Sequence, residues 1–181
     1  GKHVHFQRFE RGNYSEELKI VGDTSENGTS VMFKADPQIF ESTVYDYEVL
    51  LKRLREQAFL NAGVHIVLRD LREDPVIEDD LCYDGGIINF VEYINKEKAA
   101  SPIHDKIIYI TGKKGDTVAE VALQYNDSYS EAIVAFANNM STIDGGTHVD
   151  GFKLALLRVI KNYAEKLKLR KEKDPKLEYK D

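Results

Sequence analysis

The sequence contains a single cysteine, Cys82, in 181 residues, so no disulfide bond can form within the chain. Such sparse use of cysteine is typical of proteins in a reducing compartment. No apolar run approaches the roughly 20 residues that a membrane-spanning helix requires, and the first residues lack the charged and then apolar arrangement of a signal peptide. These absences predict a cytoplasmic protein without a membrane partner.

Known motifs of nucleotide and metal chemistry are also absent. The sequence has neither the Gly-x-x-x-x-Gly-Lys-Ser/Thr loop of P-loop ATPases nor a Gly-x-Gly-x-x-Gly fingerprint, and it has no His-Glu-x-x-His zinc helix. The five histidines are scattered, and with one cysteine they form no metal-ligand spacing. His3 and His5 would share one face of a strand, where an ordinary surface strand is favoured over a weak metal site. The residues therefore predict no metal site.

Acidic residues are in excess, and the formal net charge of −6 comes from 31 acidic and 25 basic side chains. The surface as a whole offers no general attraction for a polyanion, so any contact with nucleic acid must be local. Basic residues gather near the C-terminus, interleaved with acidic ones: Lys161, Lys166, Lys168, Arg170, Lys171, Lys173 and Lys176. A mixed run of this kind favours a solvated helix face or a frayed end.

A second charged segment, residues 70–80, is predicted to be a loop because it is acidic and contains Pro75. Its carboxylates are Glu73, Asp74, Glu78, Asp79 and Asp80. A cation site needs ligands that are fixed in space, whereas a surface loop needs none, and the surface loop is favoured.

The pattern of apolar residues predicts an α+β protein of two halves that meet near Gly85. In the first half, alternation and glycine spacing predict strands at residues 3–9, 18–21, 30–33 and 64–68. Helical spacing predicts a helix over residues 45–60, with Thr43 and Asp46 as a capping box at its start. Each half therefore has strands and a helix that covers one face.

The second half begins with a predicted short helix over residues 86–95 and a linker over residues 96–102. Short turns then favour an antiparallel meander of three strands, at residues 106–111, 117–125 and 132–137. Apolar residues repeat every three or four positions over residues 148–168, which predicts a long helix capped by Thr147 with Asp150 in its first turn.

Two acidic-glycine turns, Asp84-Gly85-Gly86 and Asp144-Gly145-Gly146-Thr147, directly precede predicted helices. Free amides at a helix N-terminus attract anions, so either turn is a candidate phosphate seat. The favoured interpretation is structural: the glycines permit a sharp entry, and the aspartate or threonine caps the helix.

Four stretches of the sequence are distinctive. The most specific is FANNMSTIDGGTH at residues 136–148, followed by Gly151 and Phe152. The others are GTSVMF at residues 28–33, RLREQAFLNAGV at 53–64, and YDGGI at 83–87 with FVEY at 90–93. In this order they resemble the ATPase subunits of bacterial type IIA DNA topoisomerases, the family of gyrase B and topoisomerase IV B subunits, and the first resembles the signature of the family's transducer domain.

The resemblance implies a domain organisation and a parent activity. Residues 1–84 are expected to be the C-terminal half of a GHKL-type ATP-binding domain, and residues 85–181 the first part of a transducer with a ribosomal-S5-like fold. The parent would use ATP and Mg²⁺ to couple strand passage and supercoiling of DNA to nucleotide turnover. The family's general base, magnesium ligand and phosphate loop have no counterpart in this sequence, so we expect a catalytically inactive segment of a longer chain that binds no cofactor tightly.

Two residues inherit candidate roles from the resemblance. Thr29 matches a threonine that lies against the nucleotide base, although its residue type alone predicts only a β-favouring strand residue. Lys153 stands where relatives often carry an arginine that faces DNA, and lysine keeps the charge without the bidentate fork. A solvated lysine on an amphipathic helix is the alternative. The family's Gln-Thr-Lys phosphate-sensing loop does not occur after Lys168.

The implied partners are DNA, a gyrase A subunit in an A2B2 heterotetramer, and a second B subunit that joins when ATP binds. Gyrase is favoured over topoisomerase IV. A different class of function also stays open, a stand-alone nucleic-acid-binding module with an S5-like fold, because folds are reused for unrelated tasks. The net charge argues against that module.

Overall fold

The structure, a computed structural model, describes residues 2–128, 131–169 and 174. Its elements in chain order are β1 (His3–Glu10), β2 (Asn13–Asp23), α1 (Tyr47–Leu60), β3 (His65–Asp70), β4 (Ile77–Cys82), α2 (Ile87–Glu97), β5 (Ile108–Lys114), β6 (Thr117–Leu123), β7 (Phe136–Ala137), β8 (Met140–Ser141) and α3 (Thr147–Lys166). The named strands pair consecutively into two-stranded antiparallel sheets, β1 with β2 and so on to β7 with β8. The mixture of helices and antiparallel strands confirms the predicted α+β class.

The chain divides into two compact units, Gly1–Leu50 and Leu51–Asp181. None of the described helices is long and apolar enough to cross a bilayer. Within the predicted basic cluster, Arg170, Lys171, Lys173 and Lys176 lie outside the described residues.

The first unit is built on the β1–β2 hairpin, whose register runs from His3 opposite Asp23 to Glu10 opposite Asn13. Arg11 and Gly12 form the two-residue turn with φ of 50° and 82°. Positive φ at both central positions gives a turn whose twist matches that of the paired strands. The strand prediction at residues 3–9 is confirmed, and the one at 18–21 is confirmed as part of a longer strand.

The strand predicted at residues 30–33 does not form. The segment is neither helix nor strand, and Val31, Met32 and Phe33 are strongly exposed. A strand needs a partner for its backbone hydrogen bonds, and no described strand pairs with this segment. Local β propensity was therefore insufficient.

Helix α1 begins two residues later than predicted, and Asp46 caps it without Thr43. The backbone amide of Val49 donates to Asp46 Oδ1 at 3.1 Å, and that of Leu50 donates to the Asp46 carbonyl at 3.2 Å. A carboxylate at this position satisfies amides that have no partner within the helix. The predicted capping box is thus replaced by a single aspartate cap.

The core of the second unit is aromatic. Phe59 of α1 is 1% exposed and stacks on Tyr83 and Phe90, with ring centroids 3.9 Å and 4.7 Å away. Burial of one such side chain contributes about 1.5–3 kcal/mol, and each aromatic pair adds roughly 0.5–1.5 kcal/mol. Leu51, Ala58, Leu81 and Ala164 are the other buried apolar residues among those described.

The acidic segment predicted as a loop is partly a strand, because Glu78, Asp79 and Asp80 belong to β4. Two of these carboxylates meet basic side chains of β3: Glu78 pairs with Arg69, which lies directly opposite, and Asp80 accepts from His65 Nε2 at 2.6 Å. Cross-strand pairing of opposite charges favours the strand over a self-repelling loop. The loop prediction is therefore wrong for the second part of this segment.

The second half departs from the predicted meander. Strands β5 and β6 form one hairpin, whereas the strand predicted at 132–137 keeps only Phe136–Ala137, paired with Met140–Ser141 in a separate sheet. Asn138 and Asn139 have φ of 49° and 63°, a left-handed conformation that asparagine tolerates, and they turn the chain back at once. Helices α2 and α3 confirm the two helix predictions.

The predicted linker is attached to the fold at several points. Lys96 and Glu97 belong to α2, Pro102 forms a bridge with Asn126, and the backbone amide of Ser101 donates to Asp127 Oδ1 at 2.9 Å. These bonds fix the segment against the chain that follows β6, so it is a structured connection.

Candidate functional site

Thr29 lies in the first unit, directly before the segment at residues 30–33 that does not form the predicted strand, and Thr29 is itself exposed and outside any strand. The structure therefore does not provide the inner-strand setting that the resemblance implies for this residue. A nucleotide contact by Thr29 stays a prediction.

Lys153 lies in the second turn of α3 and points to a carboxylate of the same unit. Its Nζ is 3.1 Å from Glu131 Oε1, and the lysine side chain is 26% exposed. A phosphate that approaches Lys153 must compete with Glu131 for the ammonium group. Thr29 and Lys153 belong to different compact units.

The turn before α2 is closed by a side chain from within the helix. The backbone amide of Gly85 donates to Asn89 Oδ1 at 2.9 Å, and Gly86 is the N-cap residue without a side-chain cap bond. The predicted capping by Asp84 is thus wrong, because Asn89 takes the amide instead. A Cβ at Gly85 would lie 2.4 Å from Asn89 Oδ1, so a side chain at this position would displace the Asn89 side chain from its present position.

The turn before α3 also differs from the prediction. Gly146 is the N-cap, with no side-chain cap bond, and Thr147 is already the first helical residue. The amides of Val149 and Asp150 donate to the carbonyl of Gly146, at 3.0 Å and 3.1 Å. Thr147 therefore does not cap the helix, whereas Asp150 does lie in its first turn.

An open groove of about 440 Å³ lies beside the aromatic core and is lined by Phe59, Cys82, Tyr83, Asp84, Asn89, Glu92, Tyr93 and Lys96. Arg55 contacts one of these lining residues, because its Nη1 donates to Tyr93 Oη at 3.0 Å while the guanidinium lies 5.2 Å from the ring centroid. Burial opposes the positive charge, yet the electrostatic and hydrogen-bond contributions of Tyr93 and Tyr83 together outweigh it and raise the pKa of Arg55 above its usual range. Arg55 is therefore a cation held beside Tyr93.

Three side-chain amides join the end of α1 to the β7–β8 hairpin, and we call them the amide clamp: Gln57, Asn61 and Asn139. Gln57 Nε2 donates to the carbonyl of Asn139 at 3.0 Å, and Asn139 Nδ2 donates to Asn61 Oδ1 at 3.0 Å. Asn61 Nδ2 in turn donates to the carbonyl of Gln57 at 2.8 Å. Sequence reasoning missed this cluster, although consecutive asparagines between two apolar segments are a turn signal.

The structure resembles solved gyrase B structures over almost its whole length. The crystal structure of the 43K ATPase domain of Thermus thermophilus gyrase B in complex with an aminocoumarin matches with a TM-score of 0.81 and 32% identity, over 99% of this chain and 48% of that chain. The B-subunit of the DNA gyrase from Myxococcus xanthus matches with a TM-score of 0.76 over 91% of this chain and 48% of that chain, and at 21% identity it supports the fold alone. The shared fold is thus that of a gyrase-type ATPase domain.

Sequence comparisons give the family. The DNA gyrase B family model matches residues 86–181. The chain is 46% identical over 179 residues to the DNA gyrase B protein of Staphylococcus epidermidis and 47% identical over 180 residues to that of Staphylococcus aureus. The chain belongs to the DNA gyrase B family, which confirms the resemblance inferred from the four stretches.

The chain is much shorter than these relatives. The matches include 98% of this chain, but the chain spans about 28% of the length of the two staphylococcal proteins. The amide clamp and the aromatic core lie within the matched region.

Proposed function

We propose that this chain is a non-catalytic segment of the ATP-hydrolysing B subunit of a type II DNA topoisomerase, a gyrase, and that it couples ATP binding and hydrolysis to DNA strand passage and supercoiling. The observation that carries the proposal is the 46–47% identity to gyrase B proteins over 98% of the chain. Such continuous similarity leaves little of the segment free for another task.

Under this proposal the two predicted parts have different duties. Residues 1–84 complete the nucleotide-binding domain, with Thr29 against the nucleotide base. Residues 85–181 begin the S5-like transducer, and Lys153 contacts a DNA phosphate once it leaves Glu131. The described contact of Lys153 with a carboxylate supports an exchangeable cation, since an ion pair at a partly exposed site is weak.

ATP and Mg²⁺ are assigned to the parent protein. The described residues contain no group of three or more His, Cys, Asp or Glu side chains that could hold a metal ion, and Thr29 is an isolated hydroxyl on an exposed segment. These residues do not fit a complete nucleotide-magnesium site by themselves, so no chemical step is derived from them. The proposed cytoplasmic assembly contains DNA, two A subunits and two B subunits that dimerise when ATP binds.

Two measurements test the proposal. The purified chain alone should release no phosphate from ATP above a buffer blank, and robust turnover would overturn the assignment of a non-catalytic segment. A complete B subunit that carries this segment, mixed with its A subunit and relaxed circular DNA, should introduce supercoils only when ATP is present. ATP-dependent decatenation without supercoiling would identify a topoisomerase IV protein instead.

A further inference from the structure

We propose that Asn139 is a positioning residue that, through the amide clamp, holds the β7–β8 hairpin and the start of α3 in register with the end of α1. The inference rests on the proposed function for its role in coupling, because the clamp joins the predicted nucleotide-binding part to the predicted transducer. The contacts that carry it all lie within the unit Leu51–Asp181.

Asn139 takes part in the amide clamp through both its backbone and its side chain. Gln57 lies in the last turn of α1 and Asn61 directly follows the helix, and the bond from Asn61 Nδ2 to the Gln57 carbonyl holds the two residues together at this end. The carbonyl of Asn139 accepts from Gln57, and its side chain donates to Asn61. Because one residue of the turn is held through its backbone and its side chain, the turn can neither slide along α1 nor rotate away without breaking a hydrogen bond.

A second contact makes the arrangement rigid. Phe136, at the start of the hairpin, packs against Phe90 of α2 with ring centroids 6.1 Å apart, and Phe90 stacks on Phe59 of α1. The hairpin is therefore fixed to α1 at its tip by amides and near its base by aromatic rings. Two separated contacts determine an orientation, which one contact cannot do.

The base of the hairpin leads directly to α3. The amide of Thr142 donates to the carbonyl of Ala135 at 2.9 Å, and the Thr142 hydroxyl donates to the same carbonyl at 3.0 Å. That hydroxyl has one proton, so the 3.1 Å contact with His148 Nε2 requires the histidine to donate. His148 lies in the first turn of α3, the helix that carries Lys153. Displacement of the turn at Asn139 is thereby transmitted to the start of this helix.

Amide hydrogen exchange in this chain tests the positioning role. The reporting amides are Thr142, Val149 and Asp150, which close the hairpin and the first turn of α3. A double variant, Gln57→Met with Asn61→Ala, removes the donor to the Asn139 carbonyl and the acceptor for its side chain, and methionine at position 57 keeps a residue that favours the helix. Loss of one or two hydrogen bonds should accelerate exchange at the three amides by about 2- to 10-fold.

Two matched variants separate the clamp from general destabilisation. Asn61→Asp keeps an acceptor for Asn139 Nδ2 but places a carboxylate oxygen against the Gln57 carbonyl in place of the donating amide, so exchange at the three amides should rise less than in the double variant. Asn95→Ala removes another amide pair, in which Asn95 Nδ2 donates to Gln124 Oε1 at 2.7 Å, and the three reporting amides should stay near wild type. The inference fails if the double variant matches wild type, or if Asn95→Ala accelerates the same amides equally.

The coupling role is tested in the complete B subunit with its A subunit, by the number of supercoils introduced per ATP hydrolysed. The double variant should lower this ratio by about 3-fold or more, a size within the range for substitutions that weaken coupling between sites, and the Asn61→Asp variant should lower it less. An unchanged ratio in a variant of an active enzyme contradicts the coupling role, as does a parallel fall of hydrolysis and supercoiling. If the wild-type protein shows no ATP-dependent supercoiling, the proposed function is wrong and the coupling role falls with it, whereas the exchange experiment still decides the positioning role.

Discussion

Asp70 shows how one buried charge is stabilised by a near neighbour. The carboxylate is 8% exposed and accepts from Arg72, with the guanidinium Nε at 2.8 Å and the backbone amide at 3.0 Å from Oδ1. These hydrogen bonds, the side-chain one foremost, lower the pKa of Asp70 to about 2. The charged form is thus favoured in the folded state.

This pKa gives a pH dependence with a definite sign. A carboxyl whose pKa is about 2 when folded, against roughly 3.9 when unfolded, contributes stability that is complete above about pH 4 and is lost as the pH falls towards 2. We expect Asp70→Asn to lower stability at pH 6, with the difference from wild type narrowing progressively below pH 4. Urea unfolding at a series of pH values measures this, and a difference that does not change between pH 6 and pH 2 contradicts it.

Phe59 carries most of the aromatic packing at the residue scale. Its replacement by alanine leaves a cavity against Tyr83 and Phe90, and we expect a loss of about 3–5 kcal/mol in the free energy of unfolding. Helical circular dichroism in urea provides the measurement. Phe9→Ala is the control, because Phe9 is 62% exposed and should cost less than about 1 kcal/mol. Similar losses in the two variants would show that Phe59 is not the centre of this core.

Lys153 and Glu131 offer an opposed pair of variants. In the complete protein, Lys153→Gln should weaken binding to duplex DNA and reduce the slope of log affinity against log salt concentration by about one, the value of one phosphate contact. Glu131→Gln should strengthen binding, because it removes the carboxylate that competes for Lys153. Fluorescence anisotropy across salt concentrations measures both. Equal affinities for the two variants and wild type would exclude a DNA contact at this lysine.

At the scale of elements, the β1–β2 turn depends on backbone conformation more than on burial. Gly12 has φ of +82° and nothing lies within 4 Å of the position that a Cβ would take, so Gly12→Ala meets no clash and tests conformation alone. We expect a cost of about 1 kcal/mol, visible as faster amide exchange in the hairpin. Gly22→Ala is the control, because Gly22 lies in β2 with equally open space and an ordinary φ. Comparable exchange in both variants would contradict the role of the turn.

Local sequence patterns predicted the three helices well, because the spacing of apolar residues over residues 45–60 and 148–168 is set by the helix itself. They failed where a distant partner decides the outcome. The segment at 30–33 has strand-forming residues and no paired neighbour among the described strands. Glu78–Asp80, in contrast, form a strand because β3 lies beside them, with Arg69 opposite Glu78. Strand formation depends on partners that are far apart in sequence.

The candidate site was predictable only in part for the same reason. The motif at residues 136–148 indicated the family, and the family model matches that region. The clamp joins residues 78 and 82 positions apart, and no spacing rule connects such residues in advance. Caps were equally hard to predict, since Asn89 displaces Asp84 by reaching back from inside its helix.

For the molecule as a whole, burial is concentrated in one unit. Every buried residue among those described lies in Leu51–Asp181, whereas the first unit exposes Phe9, Tyr14 and Leu18 by 61–67%. The two compact units divide at Leu50, while the domain boundary predicted near residue 84 stays a prediction. Few buried contacts imply a low local stability for the first unit.

Hydrogen exchange should reveal this asymmetry directly. Amides of β1 and β2 should exchange at least about 10-fold faster than those of α1 beyond Leu51 and of β4, because opening the hairpin disrupts little buried apolar surface. Mass spectrometry of peptides from the two units gives the comparison. Uniform protection along the chain would contradict this prediction and would show that the β1–β2 hairpin is protected from solvent.

Asn139 must adopt a left-handed backbone conformation and also donate a side-chain hydrogen bond, and the two requirements together allow fewer residue types than either alone. Glycine would accept a φ of 63° without strain but has no side-chain amide that could donate to Asn61. Glutamine has a side-chain amide but adopts the left-handed backbone conformation poorly. Asparagine meets both demands with one short side chain. Random replacement at this codon should therefore recover asparagine almost exclusively among variants that keep the hairpin seated, whereas Asn138 should accept glycine freely.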